Sequence, residues 1–121
     1  MLMQYDADTP AGYLDQLDDD WRKTHLLAVR DAMMAVSGVS EGIGHGMLQY
    51  TREGEVFAHL NAQKGYVGVY LGELDKLDPG AAIRGGMSCG KTCLRVKKRD
   101  DPAVAARLID VKASRPDVGA C

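Results

Sequence analysis

Hydrophobic residues recur along this chain with two different periods. The helical period joins four apolar positions near the N-terminus, Leu26, Val29, Met33 and Val36. This pattern predicts a helix over residues 20–36. A shorter helix is predicted to begin at Thr9-Pro10, because a hydroxyl N-cap followed by proline is a common helix start. A third helix is predicted beyond Pro102, with its inward positions at Val104, Leu108 and Ile109.

Between these helices, apolar and polar residues alternate, which is the period of a β-strand. The predicted strands are residues 47–51, 56–62, 66–71 and 92–98. Short turns separate the first three and favour antiparallel pairing. Residues 40–46, which include three glycines, are predicted to be a loop, and one helical turn is predicted at residues 74–77. These elements predict an α+β fold in two layers, an antiparallel sheet of about four to five strands with N- and C-terminal helices packed on one face.

Length and charge narrow the class of protein. The 121 residues predict a single domain over the whole chain, with residues 1–8 and 114–121 as loose tails. The formal charge of −2, from 15 basic and 17 acidic residues, gives no overall attraction to nucleic acid or to a membrane. Three cysteines, together with an N-terminus that lacks the features of a secretion signal, predict reduced thiols and a cytoplasmic location.

Residues 85–92 match the phosphate-loop pattern GxxxxGK[ST]. In a working phosphate loop, a helix follows the lysine, and its N-terminal N–H groups bind the phosphates. Here the residues after Thr92 alternate between apolar and polar, which predicts a strand instead. We therefore interpret the segment as a glycine-rich turn that enters a strand, with Lys91 near the surface.

Alternation along the predicted strands divides the sheet into two faces. The aliphatic positions belong beneath the helices: Val56, Ala58, Leu60, Ala62, Val67, Val69, Leu71, Leu94 and Val96. The opposite side, here called the open face, carries Phe57, His59, Asn61, Tyr66, Tyr70, Cys93, Arg95 and Lys97. On this side, Gly68 leaves a gap between two tyrosines.

The open face has more than one interpretation. Aromatic and cationic side chains on an uncovered sheet can bind an anionic or planar ligand or stack nucleobases. They can also pair with a second copy of the chain in a homodimer. The remaining interpretation is an ordinary, half-exposed sheet face on which the tyrosines lie flat.

Three further residues carry chemistry that could belong to a site. Cys89 and Cys93 form a CxxxC pair, which is weak evidence for a metal site because structural zinc sites usually add a second pair or histidines. Cys93 could instead be a reactive thiol whose pKa is lowered by nearby basic residues, or each cysteine could be a small apolar filler. Glu41, in the predicted glycine-rich loop, is either a ligand-binding acid or a loop hydrogen-bond acceptor.

Four aspartates precede the long helix: Asp15, Asp18, Asp19 and Asp20. Carboxylates near a helix N-terminus commonly cap the helix and complement its dipole. They are also hard oxygen donors of the kind that iron accepts. Both interpretations remain open at this point.

Three stretches of the chain resemble the YdhG-like family, also called domain of unknown function 1801. The first contains Glu41-Gly42-Ile43, Gly46-Met47 and Tyr50; the second contains Lys64 and Tyr66-Val67-Gly68-Val69-Tyr70-Leu71; the third is Gly90-Lys91-Thr92-Cys93-Leu94-Arg95-Val96. The resemblance covers residues 13–109 and implies a small α+β domain that has been compared with frataxin. Some members have been called intracellular iron chaperones, so the resemblance implies iron as a candidate cargo.

Together these observations predict a non-enzymatic cytoplasmic binding protein that carries iron or a small organic ligand. Iron would bind to the four aspartates. An organic ligand would bind to the candidate set His59, Tyr66, Tyr70, Cys93, Arg95, Glu41, Lys64 and Lys91. The alternative is a module that dimerises or docks a partner protein through the open face. An enzyme, in third place, would depend on a reactive cysteine.

Overall fold

The computed structural model describes residues 7–115, which form a five-stranded antiparallel sheet and four α-helices. In chain order the elements are α1 (Pro10–Asp15), α2 (Trp21–Met34), β1 (Val39–Gly44), β2 (Met47–Arg52), β3 (Glu55–Ala62), β4 (Val67–Tyr70), α3 (Leu74–Leu77), β5 (Cys93–Val96) and α4 (Ala103–Ala113). The strands lie in the order in which they occur, β1-β2-β3-β4-β5. The predicted α+β fold is confirmed. Most of the predicted loose tails lies outside the described residues.

Side-chain caps fix where the first two helices begin. The hydroxyl of Thr9 accepts a hydrogen bond from the backbone N–H of Gly12 at 3.1 Å. The carboxylate of Asp20 accepts one from the N–H of Arg22 at 3.0 Å. Each satisfies a backbone donor that has no partner within its helix. No helix among residues 7–115 is long and apolar enough to cross a membrane.

All four helices contribute to one hydrophobic core on one side of the sheet. A straight row of apolar residues crosses all five strands on this side: Ile43, Leu48, Leu60, Val69 and Leu94. The last four of these are fully buried. They pack against helix residues such as Leu26, Met33 and Leu108, and burial of each side chain of this size stabilises the fold by about 1.5–3 kcal/mol.

The prediction of a loop at residues 40–46 was wrong, because most of that segment forms β1. It pairs with β2 through a two-residue turn at His45-Gly46, where both residues have positive φ angles of 55° and 73°. This geometry suits the right-handed twist of a hairpin, and glycine adopts it without strain. Gly42 and Gly44 alternate with residues that face the helices, so the open face at this edge has almost no side chains.

Phe57 was predicted on the open face and lies instead in the core. The register between β2 and β3 shifts here, since Tyr50 pairs with Ala58 while Thr51 pairs with Val56. Phe57 is the extra residue of this β-bulge, and a bulge turns the side chains around it. Val56, which was predicted beneath the helices, consequently takes the side of Thr51. The ammonium of Lys112 lies 5.1 Å from the Phe57 ring and donates a hydrogen bond to the Phe57 carbonyl.

The long connection between β4 and β5 is held by the buried guanidinium of Arg84. It donates to the Asp78 carboxylate at 3.0 Å, to the Asp75 carboxylate at 2.7 Å and to the Leu74 carbonyl at 3.2 Å. Residues 88–90 then run beside β5, and the Arg95 N–H donates to the Ser88 carbonyl at 2.9 Å. A strand follows the glycine-rich segment, as predicted, so the helix that a phosphate loop requires is not in that place.

Candidate functional site

The open face carries two neighbouring rows of residues that cross the sheet. The first row is Gly42, Gln49, His59, Tyr70 and Cys93, one residue from each strand. The second row, one step along, includes Asn61, Gly68 and Arg95. Cross-strand neighbours lie about 5 Å apart, so their side chains can contact one another directly. The sheet register therefore brings most of the predicted ligand-binding residues together.

His59 lies at the centre of the first row and is only 4% exposed. Its Nε2 is 3.0 Å from the amide oxygen of Gln49, and its ring meets the His45 ring edge-on at 5.5 Å. Burial, followed by the positive charges of His45 and Lys112, lowers the pKa of His59. The imidazole is therefore neutral at pH 7. If Nε2 donates to Gln49, Nδ1 is the acceptor that this tautomer leaves for another group.

Asn61 is also only 4% exposed, and its amide oxygen is buried without a hydrogen-bond partner among residues 7–115. This oxygen lies directly over Gly68 in the neighbouring strand. A Cβ added at Gly68 would be 2.6 Å from the oxygen and 3.1 Å from the Tyr70 ring. Glycine at this position allows both side chains to lie against the strand.

Tyr70 and Cys93 complete the first row. Burial and the neighbouring Cys93 raise the pKa of Tyr70 to about 12. Its hydroxyl is therefore protonated at physiological pH and can donate a hydrogen bond. Cys93 is 8% exposed, and its thiol points along the strand toward the Leu94 carbonyl at 3.6 Å.

Positive charge collects where β4 begins and β5 ends. The Arg95 guanidinium lies 5.8 Å from the centre of the Tyr66 ring, and its Nη1 is 3.3 Å from the Ser88 hydroxyl. Four exposed basic residues lie at the same end of these two strands: Lys64, Lys97, Lys98 and Arg99. The ion pairs among residues 7–115 include none of these five. Here they are called the basic end of the open face.

An open cavity of about 590 Å³ lies at the basic end, lined by Gly65, Lys97, Lys98 and Arg99. The nearby Asp100 carboxylate accepts a hydrogen bond from the backbone N–H of Lys97 at 2.8 Å and so closes a turn. Its negative charge offsets part of the positive charge, and the three basic side chains that line the cavity leave its surroundings net positive.

Glu41 lies on the opposite side of the sheet from the other candidates. Its carboxylate accepts two hydrogen bonds from Arg30, both at 2.7 Å, and one from the Tyr50 hydroxyl at 2.7 Å. Burial alone would raise the pKa of Glu41, but these hydrogen bonds outweigh it and hold the pKa below its ordinary value. Glu41 thus joins α2 to β1 and β2 and is not part of the open face.

The two predicted lysines lie at opposite ends of the open face. Lys64 is in the turn between β3 and β4 and belongs to the basic end. Lys91 is in the turn before β5, near Cys93, and is exposed. Its backbone carbonyl accepts from the Leu74 N–H at 3.0 Å, which anchors the turn.

Two of the four aspartates bind the guanidinium of Arg22. Arg22 donates to the carboxylate of Asp18 at 3.1 Å and to that of Asp20 at 2.9 Å, while Asp15 and Asp19 are exposed. The hydrogen bond from the Arg22 side chain lowers the pKa of Asp20. Within residues 7–115, no three or more His, Cys, Asp or Glu side chains are grouped to hold a metal ion. Iron binding at these aspartates stays a prediction.

The two cysteines of the CxxxC pair lie on opposite faces of the sheet. Cys89 forms an antiparallel bridge with Leu94, whose side chain is in the core. Directly opposed residues of an antiparallel pair share a face, so Cys89 faces the helices, whereas Cys93 faces the open side. These two thiols do not form a joint metal site.

The sequence analysis missed Gln49 and His45 as parts of the site. Gln49 alternates with the buried Leu48 and Tyr50 in β2, which would have placed it on the open face. Its amide oxygen lies over Gly44, where a Cβ would be only 2.0 Å away. His45 reaches His59 because the turn of the β1–β2 hairpin folds over the first row.

Comparison with solved structures finds the crystal structure of a DUF1801-family protein, YdhG from Bacillus subtilis. The TM-score is 0.68 at 12% sequence identity, and the match covers 83% of this chain and 84% of that chain. The resemblance seen in the sequence is thus confirmed at the level of the fold, while the comparison with frataxin stays a prediction. No family model matches the chain, and no curated protein matches it at a significant level.

Proposed function

We propose that this protein binds a small polar organic molecule on the open face, with Asn61 as the central contact. The observation that carries the proposal is the buried amide oxygen of Asn61, which has no hydrogen-bond partner among residues 7–115. A buried acceptor left unsatisfied costs about 1–3 kcal/mol, and native structures rarely keep one without a reason. A ligand that moves aside the side chains covering this oxygen and donates a hydrogen bond to it would recover that free energy.

The neighbours of Asn61 match such a ligand. The protonated Tyr70 hydroxyl already interacts with Cys93 and Asn61 and adds a polar edge, the His59 ring supplies an acceptor when its Nε2 donates to Gln49, and the Tyr66 ring offers a flat apolar surface. Small-molecule sites usually contain a few precisely placed polar groups beside aromatic rings. These groups favour a planar ligand that has at least one hydrogen-bond donor.

Native mass spectrometry of protein purified without denaturation tests the proposal. We expect a retained organic mass on the wild-type chain and its loss in Gly68→Ala, because the added Cβ displaces the Asn61 oxygen and the Tyr70 ring. Gly42→Ala is the matched control: it lies on the same face, and its Cβ would meet nothing within 4 Å. It should retain the ligand.

Two results would reject the proposal. One is a wild-type chain that carries no organic mass and shows no saturable amide shifts in β3 and β4 with a broad fragment library. The other is a ligand that both glycine variants retain equally. A dimer that Gly68→Ala dissociates would assign the open face to a second copy of the chain instead.

The iron hypothesis has its own test in the same instrument. Fe(II) added under anaerobic conditions should give discrete adducts if the four aspartates bind iron. Changing all four to asparagine would remove those adducts and leave any ligand of the open face in place. Adducts that persist in this variant would exclude the aspartates as the site.

A further inference from the structure

We propose that the ligand of the open face also contacts the basic end, where Arg95 and Lys97 bind an anionic group of that ligand, a carboxylate or a phosphate. This inference rests on the proposed function, because it names the chemical class of the same ligand. The basic end and Asn61 then act as two anchors for one molecule, which carries an anionic group at one end and a hydrogen-bond donor at the other.

The register of the sheet sets the distance between the two anchors. Asn61, Gly68 and Arg95 are direct cross-strand partners on β3, β4 and β5. Neighbouring strands lie about 4.8 Å apart, so Asn61 and Arg95 are separated by roughly 10 Å at the backbone. The Asn61 oxygen reaches over Gly68 and shortens that distance. A molecule with one aromatic ring can therefore span both contacts.

The basic end gathers cationic side chains that have no ion-pair partner. Some cations elsewhere do have one: Arg22, Arg30 and Arg84 each have a carboxylate within 3.1 Å. At the basic end, five cationic side chains have no such partner in the part of the chain that the structure describes. They repel one another, and an external anion would remove that repulsion.

Arg95 is suited to hold an oxyanion. Its guanidinium is positioned by two contacts, the Tyr66 ring and the Ser88 hydroxyl, so little side-chain freedom is left to lose on binding. Planar guanidinium groups form paired hydrogen bonds with carboxylates and phosphates. A cavity at the same end of the open face is lined by Gly65, which has no side chain to block an anion, and by Lys97, Lys98 and Arg99.

A small anion fits this surface better than a polyanion. The net charge is −2, and Asp100 and Asp101 directly follow the basic residues. A nucleic acid or an anionic membrane would bring its negative charges close to these carboxylates as well. The basic end therefore favours a ligand whose negative charge is confined to one group.

The test is chemical-shift mapping of the full ¹⁵N-labelled chain with three probes. The first is 4-hydroxybenzoate, which has a carboxylate and a hydroxyl donor at opposite ends of one ring. The second is its neutral analogue, 4-hydroxybenzamide, and the third is inorganic phosphate. We expect 4-hydroxybenzoate or phosphate to shift the amides of residues 64–68 and 93–99 saturably, and the effect to weaken as salt is added.

Charge should decide the affinity. The neutral benzamide should bind about tenfold more weakly than the benzoate, because a charge-assisted hydrogen bond is worth about one such factor. Arg95→Gln and Lys97→Gln should each lose a similar factor toward the anionic probes. Lys76→Gln is the control, since Lys76 is an exposed cation that already pairs with Glu73 on α3. Lys76→Gln should leave the affinity for all three probes unchanged.

Several outcomes would overturn the inference. Equal affinity for the benzoate and the benzamide, or unchanged affinity in both glutamine variants, would remove the anionic group from the ligand while leaving the contact with Asn61 intact. No saturable shift with any of the three probes would also reject it. Phosphate binding without benzoate binding would support the site and identify phosphate as its anion. The retained mass tests the proposed function separately.

Discussion

Two rows of residues cross the same five strands. They are offset by one residue, so they lie on opposite faces of the sheet, and their side chains differ in chemical character. Ile43, Leu48, Leu60, Val69 and Leu94 face the helices and are apolar throughout. Gly42, Gln49, His59, Tyr70 and Cys93 face the other way and are polar or lack a side chain. The first row stabilises the fold by burial. In the second row only His59 and Cys93 are buried, and the row carries hydrogen-bonding groups.

Polar groups on the two sides of the sheet differ in the same way. On the helix side, the Glu41 carboxylate accepts three hydrogen bonds from Arg30 and Tyr50, all at 2.7 Å. On the open face, the Asn61 oxygen has no partner among residues 7–115, and Arg95 has no carboxylate there. Charge on the helix side is thus paired within the protein, and the proposed role of the open face is to bind a ligand from outside the chain.

Among the substitutions that test this comparison, Glu41→Ala should have the largest effect on the free energy of unfolding. The change leaves the Arg30 guanidinium and the buried Tyr50 hydroxyl without their acceptor, which we expect to lower the free energy of unfolding by about 3 kcal/mol. Urea denaturation followed by circular dichroism measures it. Glu73→Ala is the matched control, because Glu73 pairs with Lys76 at 3.6 Å on the surface, and its loss should cost no more than about 0.5 kcal/mol.

An equal cost for the two glutamate variants would contradict the structural role of Glu41. The role also predicts a pH dependence. The pKa of Glu41 is lower in the folded state than in the unfolded chain, so its contribution is present above the ordinary pKa of a glutamate. That contribution is lost as the pH falls through the folded-state pKa, and Glu41→Ala should remove this part of the acid sensitivity.

On the open face, the substitution Asn61→Val should instead raise the free energy of unfolding. The change removes a buried acceptor whose missing partner costs about 1–3 kcal/mol, and it gives up the contact between Asn61 and Tyr70. We expect a net gain of about 1 kcal/mol in urea denaturation of the ligand-free protein. Thr51→Val is the control: it removes a hydroxyl that pairs with Ser40 at 2.9 Å, so it should give no gain.

A loss of stability in Asn61→Val would mean that the amide already has its partner within the protein. The comparison between the two faces would then fail at its central residue. A gain in stability together with loss of the retained ligand would strengthen it, because residues that favour binding over stability are typical of functional sites.

His59 provides a smaller, pH-dependent test. Burial and the charges of His45 and Lys112 lower its pKa in the folded protein. The unfolded chain therefore binds more protons than the folded one just below the ordinary pKa of histidine, near 6.5. Stability should fall as the pH falls below about 6.5, and thermal unfolding of His59→Gln should lack this decrease. His25→Gln should retain it, and a wild-type dependence that His59→Gln leaves unchanged would contradict the assignment.

Much of this arrangement follows from alternation along the strands. Alternation correctly placed His59, Tyr70 and Cys93 on one face and Leu60 and Val69 on the other. It also follows from alternation that Glu41, once in a strand with Ile43, faces the helices. The prediction of a loop at residues 40–46 excluded this placement of Glu41.

The remainder depends on pairing, which a single strand does not reveal. Glycines on one face of β1 give that strand the composition of a loop, and only its partner β2 identifies it. The bulge that turns Phe57 into the core comes from a register shift between two strands. The unsatisfied oxygen of Asn61 lies so close to Gly68 that an added Cβ would be 2.6 Å from it, and no pattern of residue types encodes such a close approach.

The two thiols provide the last and smallest test, since it requires no change in stability. Cys89 is half-buried on the helix side and Cys93 is buried on the open face, so the sheet lies between them. In a Cys121→Ser chain treated with a mild thiol oxidant, we expect no disulfide between them while the protein is folded. After unfolding in urea, the short CxxxC spacing should allow one to form. Mass spectrometry after alkylation distinguishes the results, and Cys89 should be alkylated first.

A disulfide in the folded protein would mean that one of these cysteines crosses from its own face to the other. The separation between the helix side and the open face would then not hold at β5, next to Arg95.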